Sequence, residues 1–324
     1  MVEKIFITGG AGYVGSSLAL FLLKKEYSVT IYDKFFFRNP FINNNRLNLI
    51  KGDIRDLNKL RSSIKGHDYV INLACISNDQ SYIKNQKIGK DINLHAFKTL
   101  LDVAKKSGIK KFLNTSSASV YGISNNINDE KSKPLPISMY SKINLINEKK
   151  LVKHASNNFI ATNIRPGSIY GLSPRMRFDL VINNYIASAL FKKQIKIFGG
   201  FQIRPFVNIE DLNRFFFRIL KSENHLINKE TFNICIDNHK LEFISGLIRS
   251  LVEDVLKINV EIKYYGTNDI RSYYMKSKKI YDIFNFKYKN TIEDSAINMI
   301  NYLNKRGKIN FNNKIYINEK NKFI

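Results

Sequence analysis

Short runs of β-branched and aliphatic residues alternate with amphipathic stretches through the first half of the chain. Such runs predict strands, and stretches with apolar residues three and four positions apart predict helices. The predicted strands cover residues 4–8, 28–32, 47–51, 69–73, 111–115 and 159–164. The predicted helices cover residues 12–25, 56–64, 87–106 and 140–154. This succession indicates an α/β fold with a doubly wound, Rossmann-like parallel sheet.

The alternation is less regular after about residue 166. Helices are predicted over residues 177–191, 209–220 and 242–256, and strands over residues 195–198, 231–235 and 260–264. We therefore expect a nucleotide-binding domain over residues 1–166 and a smaller C-terminal lobe, mainly for substrate, over residues 167–303. The lobe is expected to be interleaved with the main domain, and residues 304–324 to form a basic tail.

A glycine-rich turn links the first predicted strand to the first predicted helix. Residues 8–15 read TGGAGYVG, which places Gly9, Gly12 and Gly15 three positions apart. In such a turn the first glycine permits a tight bend, the second lets a diphosphate approach the backbone, and the third lets the helix pack closely. The helix N-terminus adds free N–H groups and a partial positive charge. This context between strand and helix predicts a dinucleotide site.

Acidic residues follow the next two predicted strands. Asp33 lies about 20 residues beyond the glycines, where a carboxylate accepts the ribose hydroxyls and repels a 2′-phosphate. NAD is therefore favoured over NADP as the cofactor. Asp53, after the third strand, is placed to cap the adenine. The alternative interpretation of Asp33 is a residue that merely ends its strand.

The chain is strongly basic, with a formal net charge of +25 at pH 7. Its lysines are scattered, so we interpret the charge as a solvated surface that attracts phosphates, and we expect no nucleic-acid partner. Two distant cysteines, Cys75 and Cys235, and five unpaired histidines predict neither disulfides nor a metal site. Without a signal peptide or a membrane-length apolar stretch, we expect a cytoplasmic protein that has no membrane partner.

Further motifs follow one another along the chain. They are NLA at residues 72–74, TSSASVYG at 115–122, RPGSIYG at 165–171, RPFVNIED at 204–211 and DIR at 269–271. With the glycine turn, they resemble the extended short-chain dehydrogenase/reductase family, which includes NAD-dependent nucleotide-sugar epimerases and dehydratases. The resemblance extends from residue 1 to about residue 300. It implies NAD as the cofactor, a nucleotide-sugar substrate and a homodimer.

The resemblance also implies roles for individual residues. The implied catalytic residues are Ser117, Tyr140 and Asn144. The implied cofactor-binding residues are Gly9, Gly12, Tyr13, Val14, Gly15, Asp33, Lys34, Asp53, Ile54, Leu73, Ala74, Asn93, Tyr140 and Asn144. The implied substrate-binding residues are Ser77, Ser117, Ser168, Arg204 and Arg271. The two arginines suit a diphosphate because their donors are forked, although an ion-pair or surface role is the alternative for each.

The chain departs from the family at the catalytic tyrosine. The family pattern is Y-x-x-x-K, whereas Tyr140 is followed at that spacing by Asn144. These two residues share a helix face, but Lys142 points about 200° around the helix. The family's lysine lowers the tyrosine pKa and binds the nicotinamide ribose, whereas asparagine can only hydrogen-bond the ribose. We therefore predict retained cofactor binding with weakened or altered proton transfer.

The residues after the catalytic serine bear on the reaction. Ala118 and Ser119 occupy the positions where dehydratases of the family carry an acidic pair, so dehydration lacks its general acid. The prediction is epimerisation by transient removal and return of a hydride. Net oxidation or reduction of the sugar and a catalytically silent NAD-binding protein are the alternatives. Arg175 and Arg177 are candidate phosphate contacts or solvated charges.

Overall fold

The computed structural model describes residues 2–124 and 126–321. Residues 1, 125 and 322–324, which the predicted domain and tail ranges include, lie outside them. The strands are β1 Lys4–Thr8, β2 Ser28–Asp33, β3 Leu47–Lys51, β4 Tyr69–Asn72, β5 Lys111–Thr115, β6 Ile127–Asn128, β7 Ile160–Pro166, β8 Ser168–Tyr170, β9 Gln194–Phe198, β10 Ile203–Asn208, β11 Thr231–Ile234, β12 Asp237–Lys240, β13 Glu261–Tyr265 and β14 Tyr274–Met275.

The α-helices pack on both faces of the sheet and form most of the lobe. They are α1 Tyr13–Lys24, α2 Leu57–Ile64, α3 Asp79–Lys84, α4 Gln86–Lys90, α5 Phe97–Lys106, α6 Met139–His154, α7 Val181–Lys192, α8 Ile209–Leu220, α9 Asn224–Ile227, α10 Leu241–Leu256, α11 Lys278–Phe284 and α12 Ile292–Arg306. A π-helix covers Asp91–Ala96, and 3₁₀ turns cover Ala118–Tyr121, Lys314–Tyr316 and Asn318–Lys320. Within the described ranges no helix is long and apolar enough to cross a bilayer.

Seven parallel strands form the central sheet, in the order β3-β2-β1-β4-β5-β7-β11. Both faces are covered, which explains why the central strands read as continuous apolar runs. Leu18 and Phe216, from α1 and α8, lie in the core on one face, while Leu100 and Phe112 lie in the core on the other. The predicted fold class is confirmed. Strand order reverses on either side of β1, and such a switch point creates a crevice at the carboxyl ends of the strands.

The lobe is built from three small sheets and the helices around them. Its sheets contain β12-β10-β8, β13-β9 and β14-β6. Its core includes Ile186 of α7, Ile248 of α10 and Met299 of α12. Strand β11, from the second half of the chain, pairs with β7 at the edge of the central sheet. The lobe is thereby anchored to the central sheet.

Two predicted helices differ most from the structure. The helix predicted over residues 87–106 is divided into α4, the π-helix and α5. The helix turn widens at Asn93, whose carbonyl accepts a 2.6 Å bond from Asn147 Nδ2. The helix predicted to begin at residue 177 begins at Val181, because Arg177 and Asp179 form an ion pair in the preceding loop. Helix α3, after β4, was not predicted.

Candidate active site

A cleft runs along the carboxyl ends of the parallel strands and is closed on its other side by the lobe. Most of the predicted site residues line it. They are Gly9, Gly12, Tyr13, Val14, Gly15, Asp33, Lys34, Asp53, Ile54, Leu73, Ala74, Ser77, Ser117, Tyr140, Ser168 and Arg271. Asn93, Asn144 and Arg204 lie behind these residues, so their predicted contacts with ligands have no direct counterpart in the cleft wall.

The glycine turn leaves no room for side chains. Gly9 has a φ of +69°, and a Cβ atom there would lie 2.6 Å from the Ala74 nitrogen. A Cβ atom at Gly15 would lie 2.5 Å from Cα of the glycine at position 10. Gly12 is the N-cap of α1 and offers no side-chain cap. The backbone of this turn therefore faces the cleft at a helix N-terminus, which is the arrangement that binds a diphosphate.

The two residues after Gly12 connect the turn to the lobe. The Tyr13 hydroxyl donates to the Gly171 carbonyl at 2.7 Å and accepts from Asn183 Nδ2 at 3.1 Å. Val14 packs against the cores of both the sheet and the lobe. These contacts fix the glycine turn against the lobe, so Tyr13 and Val14 serve mainly to position it.

The acidic end of the cleft is formed by the tips of β2 and β3. Asp33 accepts from the backbone nitrogens of Ala11 and Phe35, at 3.0 and 2.7 Å, and burial raises the pKa of its carboxyl. Asp53 pairs with Lys34 at 3.1 Å and with Arg55 at 2.6 Å. Hydrogen bonds from Arg55 hold the pKa of Asp53 well below its usual range. Asp33 is thus oriented by the backbone, whereas Asp53 is already neutralised by cations.

Aromatic residues that the sequence analysis did not single out also line this end. Phe36 and Phe37 follow β2, and the Arg175 guanidinium lies 3.6 Å from the Phe37 ring centroid. The signal was the run of three phenylalanines that begins two residues after the strand-end acid. A face of Phe37 and the buried Ile54 give this end of the cleft an apolar wall suited to an adenine ring.

Amides hold the strand ends beneath the middle of the cleft. Asn72 accepts from the Thr8 hydroxyl at 2.8 Å and donates to Asn114 Oδ1 at 3.2 Å, which links β1, β4 and β5. The Asn93 side chain binds the backbone nitrogen and oxygen of Ile76, at 2.8 and 3.1 Å. Asn93 therefore positions the loop after β4 that carries Ala74 and Ser77.

Tyr140 lies in the first turn of α6, on the wall of the cleft. Burial raises the pKa of its hydroxyl, and the nearby Cys75 adds to that effect, while Asn144 and Arg177 act in the opposite direction. Asn144 lies beside the phenol, yet its buried Nδ2 makes no regular hydrogen bond to any described residue. Lys142 is exposed, as the helix geometry predicts. The surroundings of Tyr140 therefore favour the neutral phenol.

Ser117 is held at the end of β5 by a short turn. Its Oγ accepts from the backbone nitrogen of Ser119 at 3.1 Å and is 2.9 Å from Ser119 Oγ. The preceding Ser116 donates to Glu148 at 2.5 Å, and Glu148 accepts two bonds from Arg165, at 2.9 and 2.6 Å. This buried network joins β5, α6 and β7. It therefore fixes the helix that carries Tyr140 against the strand that carries Ser117.

The two arginines predicted to hold a diphosphate meet at a shared carboxylate. Arg271 donates to both oxygens of Asp269, at 2.6 and 2.7 Å, and also contacts Asp79. Arg204 lies behind it, 3.4 Å from Asp269 and in contact with the Arg271 carbonyl. The hydrogen bonds that Arg271 donates to Asp269, together with the negative charge of the nearby Asp79, raise the pKa of Arg271. Only Arg271 reaches the cleft, and it does so already paired with acids.

The tail contributes residues that the sequence analysis did not assign to the site. Asn318 and Glu319 line the cleft beside Ser77. Arg177 donates to Ser77 Oγ at 3.0 Å and forms an ion pair with Asp179 at 2.9 Å, and both side chains of this pair are buried. The apolar residues of the tail have no regular period, so no sequence pattern placed it here.

The residues present fit a bound dinucleotide. The glycine cradle excludes side chains, and several buried polar atoms at or directly behind the cleft have no partner in the described part of the chain. These atoms are Arg175 Nε, Thr115 Oγ1 and Asn144 Nδ2. Such atoms are costly unless a ligand or solvent satisfies them.

Comparison with known proteins agrees with this geometry. A model of the NAD dependent epimerase/dehydratase family matches residues 5–235. YtcB of Bacillus subtilis (strain 168), described as an uncharacterized UDP-glucose epimerase, is 31% identical over 245 residues, which cover 71% of this chain and 76% of that protein. A putative UDP-glucose 4-epimerase of Methanocaldococcus jannaschii is 28% identical over 230 residues, which cover 69% of this chain and 75% of that protein.

Solved structures show the same fold. UDP-glucuronic acid 4-epimerase from Bacillus cereus, solved in complex with UDP-glucuronic acid and NAD, is 25% identical in sequence. It superposes with a TM-score of 0.81, and the alignment covers 94% of this chain and 100% of that chain. The chain therefore belongs to the NAD-dependent epimerase/dehydratase family, whose cofactor is the one that the sequence predicts.

Proposed function

We propose that this protein is an NAD-dependent epimerase that inverts one carbon of a nucleotide-linked sugar. The observation that carries the proposal is one cleft that combines the glycine turn and Asp33 at one end with Tyr140, Ser117 and Arg271 at the other. The relatives named above support it, because their descriptions name UDP-sugar epimerases. The atypical Tyr140/Asn144 pair is part of the proposal.

The cofactor would be held by the backbone of the glycine turn, by Asp33 at the adenosine ribose and by Leu73 and Ala74 near the nicotinamide. Bound NAD would supply the hydride acceptor for the sugar carbon, and its reduced form the hydride donor. Asn144 lies behind the cleft wall, one helix turn beyond Tyr140, and would have to turn its unpaired Nδ2 into the cleft to bind a ribose hydroxyl of the cofactor.

The chain's own groups would manage the proton and the substrate. Tyr140 takes the proton of the reacting hydroxyl as a general base, and Ser117 orients that hydroxyl by a hydrogen bond. Arg271 exchanges its contact with Asp79 for an oxygen of the substrate diphosphate, with Arg204 supporting it through Asp269. Ser77 and Ser168 are placed along the same wall to contact the sugar nucleotide.

The residues around the site argue against one other reaction and in favour of one alternative. Ala118 and Ser119 provide no carboxylic acid beside Ser117, which argues against dehydration. The absence of a lysine at Asn144 is the observation that favours a catalytically silent protein. A net oxidoreductase would consume NAD as it turns over, whereas an epimerase restores it.

The test is a substrate panel with three distinguishable outcomes. Purified protein is incubated with NAD and UDP-, GDP-, CDP- and dTDP-hexoses, while absorbance reports NADH and NMR reports sugar configuration. Epimerisation gives a new epimer without net NADH, and oxidation gives NADH in proportion to product. NAD binding with neither product identifies a silent protein and refutes the proposal. A Tyr140→Phe variant, which lacks the acid/base hydroxyl, should abolish epimer formation.

We also propose a homodimer that forms through α5 and α6. Exposed apolar residues on or next to α6, Met139 (53% exposed) and Ile146 (42% exposed), support this surface. Sedimentation equilibrium should give twice the mass of the 37.6 kDa chain. An Ile146→Glu variant should sediment as a monomer. If the native protein also sediments with the mass of one chain, the proposal is contradicted.

A further inference from the structure

Arg175 is a buried cation to which the catalytic scheme gives no role. The residue is 5% exposed, and its Nε has no hydrogen-bond partner among the residues that the structure describes. Burial and the neighbouring Arg177 lower the pKa of its guanidinium to about 9. A buried guanidinium with an unfilled donor destabilises the protein unless an anionic or polar ligand satisfies it.

The location of Arg175 indicates which ligand that is. Its backbone nitrogen donates to Ser16 Oγ at 3.3 Å, and Ser173 Oγ donates to the Tyr13 carbonyl at 2.7 Å. These contacts hold the loop that carries Ser173 and Arg175 against the first turn of α1, directly beyond the glycine turn. Asp33, at the tip of β2, lines the same cleft and is near enough to Arg175 for each to shift the pKa of the other, and the Phe37 ring centroid lies 3.6 Å from the guanidinium. Arg175 therefore lies where the diphosphate and adenosine ribose of a dinucleotide are expected.

The C-terminal segment holds Arg175 in this place through one side chain. Asn318 accepts from Arg175 Nη2 at 2.7 Å and donates through Nδ2 to Ser77 Oγ at 3.0 Å. Its backbone nitrogen donates to Asp179 at 3.1 Å, and the residue is only 7% exposed. All three of these partners line the cleft.

The segment is attached to both walls of the cleft. On the lobe side, Phe178 packs against Phe311 and Tyr316, with ring centroids 6.1 and 5.3 Å apart, and donates its backbone N–H to the Tyr316 carbonyl. On the other side, Lys84 of α3 reaches the Glu319 carbonyl at 3.4 Å, and Asn85 reaches the Asn321 carbonyl at 3.3 Å. Residues 309–321, here called the strap, thus cross from the lobe to the nucleotide-binding half.

We propose that the strap retains NAD in the cleft, with Asn318 holding Arg175 against the phosphate and ribose of the cofactor. The inference rests on the NAD site of the proposed function and adds a binding element to it. A reaction that removes and returns the same hydride needs a cofactor that stays bound between the two events. A strap attached to both walls would keep the cofactor bound by lowering its dissociation rate. Differences in affinity arise mostly in that rate.

The experiment measures NADH dissociation directly, without any sugar. NADH fluorescence is followed in stopped flow after displacement by excess NAD, for the native chain and for the variants Asn318→Ala and Arg175→Met. We expect each variant to dissociate about tenfold faster, as the loss of one charge-assisted hydrogen bond implies. Asn312→Ala is the matched control, because Asn312 is an exposed asparagine of the same strap, and its rate should stay within about twofold of the native rate.

The outcomes separate this inference from the proposed function. Unchanged NADH dissociation in both variants, with native circular dichroism, overturns the strap. Tighter binding of NADPH than of NADH, lost in Arg175→Met, also overturns it, since Arg175 would then serve a 2′-phosphate. The two variants break the same contact from opposite ends, so misfolding of one leaves the other decisive. If the native protein shows no turnover but both variants release NADH faster, only the epimerase proposal is refuted.

Discussion

The proposed function requires Tyr140 to act as a base, although its surroundings oppose ionisation of the phenol. Its pKa is raised by burial from the usual value of about 10, and only the phenolate accepts a proton. Below that pKa the ionised fraction rises about tenfold for each pH unit. We therefore expect kcat/KM to rise with a slope of about one on a logarithmic plot between pH 7 and 9. A plateau starting near pH 7 would show that another group is the base.

Asn144→Lys should restore the charge that lowers this pKa. A cation beside a phenol lowers its pKa by about 1–3 units, so the rising limb should move to lower pH and kcat at pH 7 should increase about tenfold or more. The matched control is Lys142→Asn, since Lys142 is exposed on another face of α6. The pH profile of each variant is the measurement. An unshifted profile in Asn144→Lys would contradict the role given to Tyr140.

Glu148 stabilises the site through a buried ion pair. The side chains of Glu148 and Arg165 are only 4% and 6% exposed. Arg165 also donates to the Tyr121 hydroxyl at 2.8 Å. Glu148→Gln leaves an uncompensated buried cation, so we expect the free energy of unfolding to fall by about 3 kcal/mol. Urea denaturation measures this change, with the exposed Lys149→Ala as control. A loss below about 0.5 kcal/mol would mean that the network contributes nothing to stability.

Among the elements, the turn between β1 and α1 has the strictest backbone requirement. Gly9→Ala would force a left-handed φ on alanine and place Cβ against the backbone of Ala74, so we expect NAD affinity to fall at least a hundredfold. Gly108→Ala is a close control, because Gly108 has a φ of +76° with no atom within 4 Å of the added Cβ. It should cost only about 1 kcal/mol of stability and leave NAD binding unchanged. Calorimetric titration with NAD distinguishes the two.

Elements with a clear period could be predicted from the sequence, and those fixed by tertiary contacts could not. Strands β1, β3 and β5 and helix α8 have the predicted bounds, because each combines an apolar run with definite end signals. The break at the π-helix depends on Asn147, which lies 54 positions from Asn93. Likewise, the sequence predicts the strap only as part of a basic tail, because Asn318 has its partners far away in sequence, at Arg175 and Ser77. The NAD prediction is confirmed, whereas the residue roles stay predictions.

At the scale of the whole molecule, the net charge of +25 attracts anionic ligands and so favours their association with the protein. Both the nucleotide sugar and NAD carry phosphates, and the cleft also presents Arg175, Arg177 and Arg271. Salt screens this attraction over a distance of about 8 Å at physiological ionic strength. We therefore expect kcat/KM for the nucleotide sugar to fall about tenfold between low and high salt, through KM, with kcat nearly constant.

The measurement is a series of initial rates at about 20 to 500 mM NaCl, with sucrose at equal osmolality as the uncharged control. Sucrose should leave KM unchanged, because it does not screen charge. A salt-independent KM would mean that the basic surface plays no part in substrate capture. In that case short duplex DNA should be added at low salt, since inhibition by it would favour the nucleic-acid interpretation of the same lysines. Because the lysines are scattered rather than aligned, we expect any such inhibition to be weak.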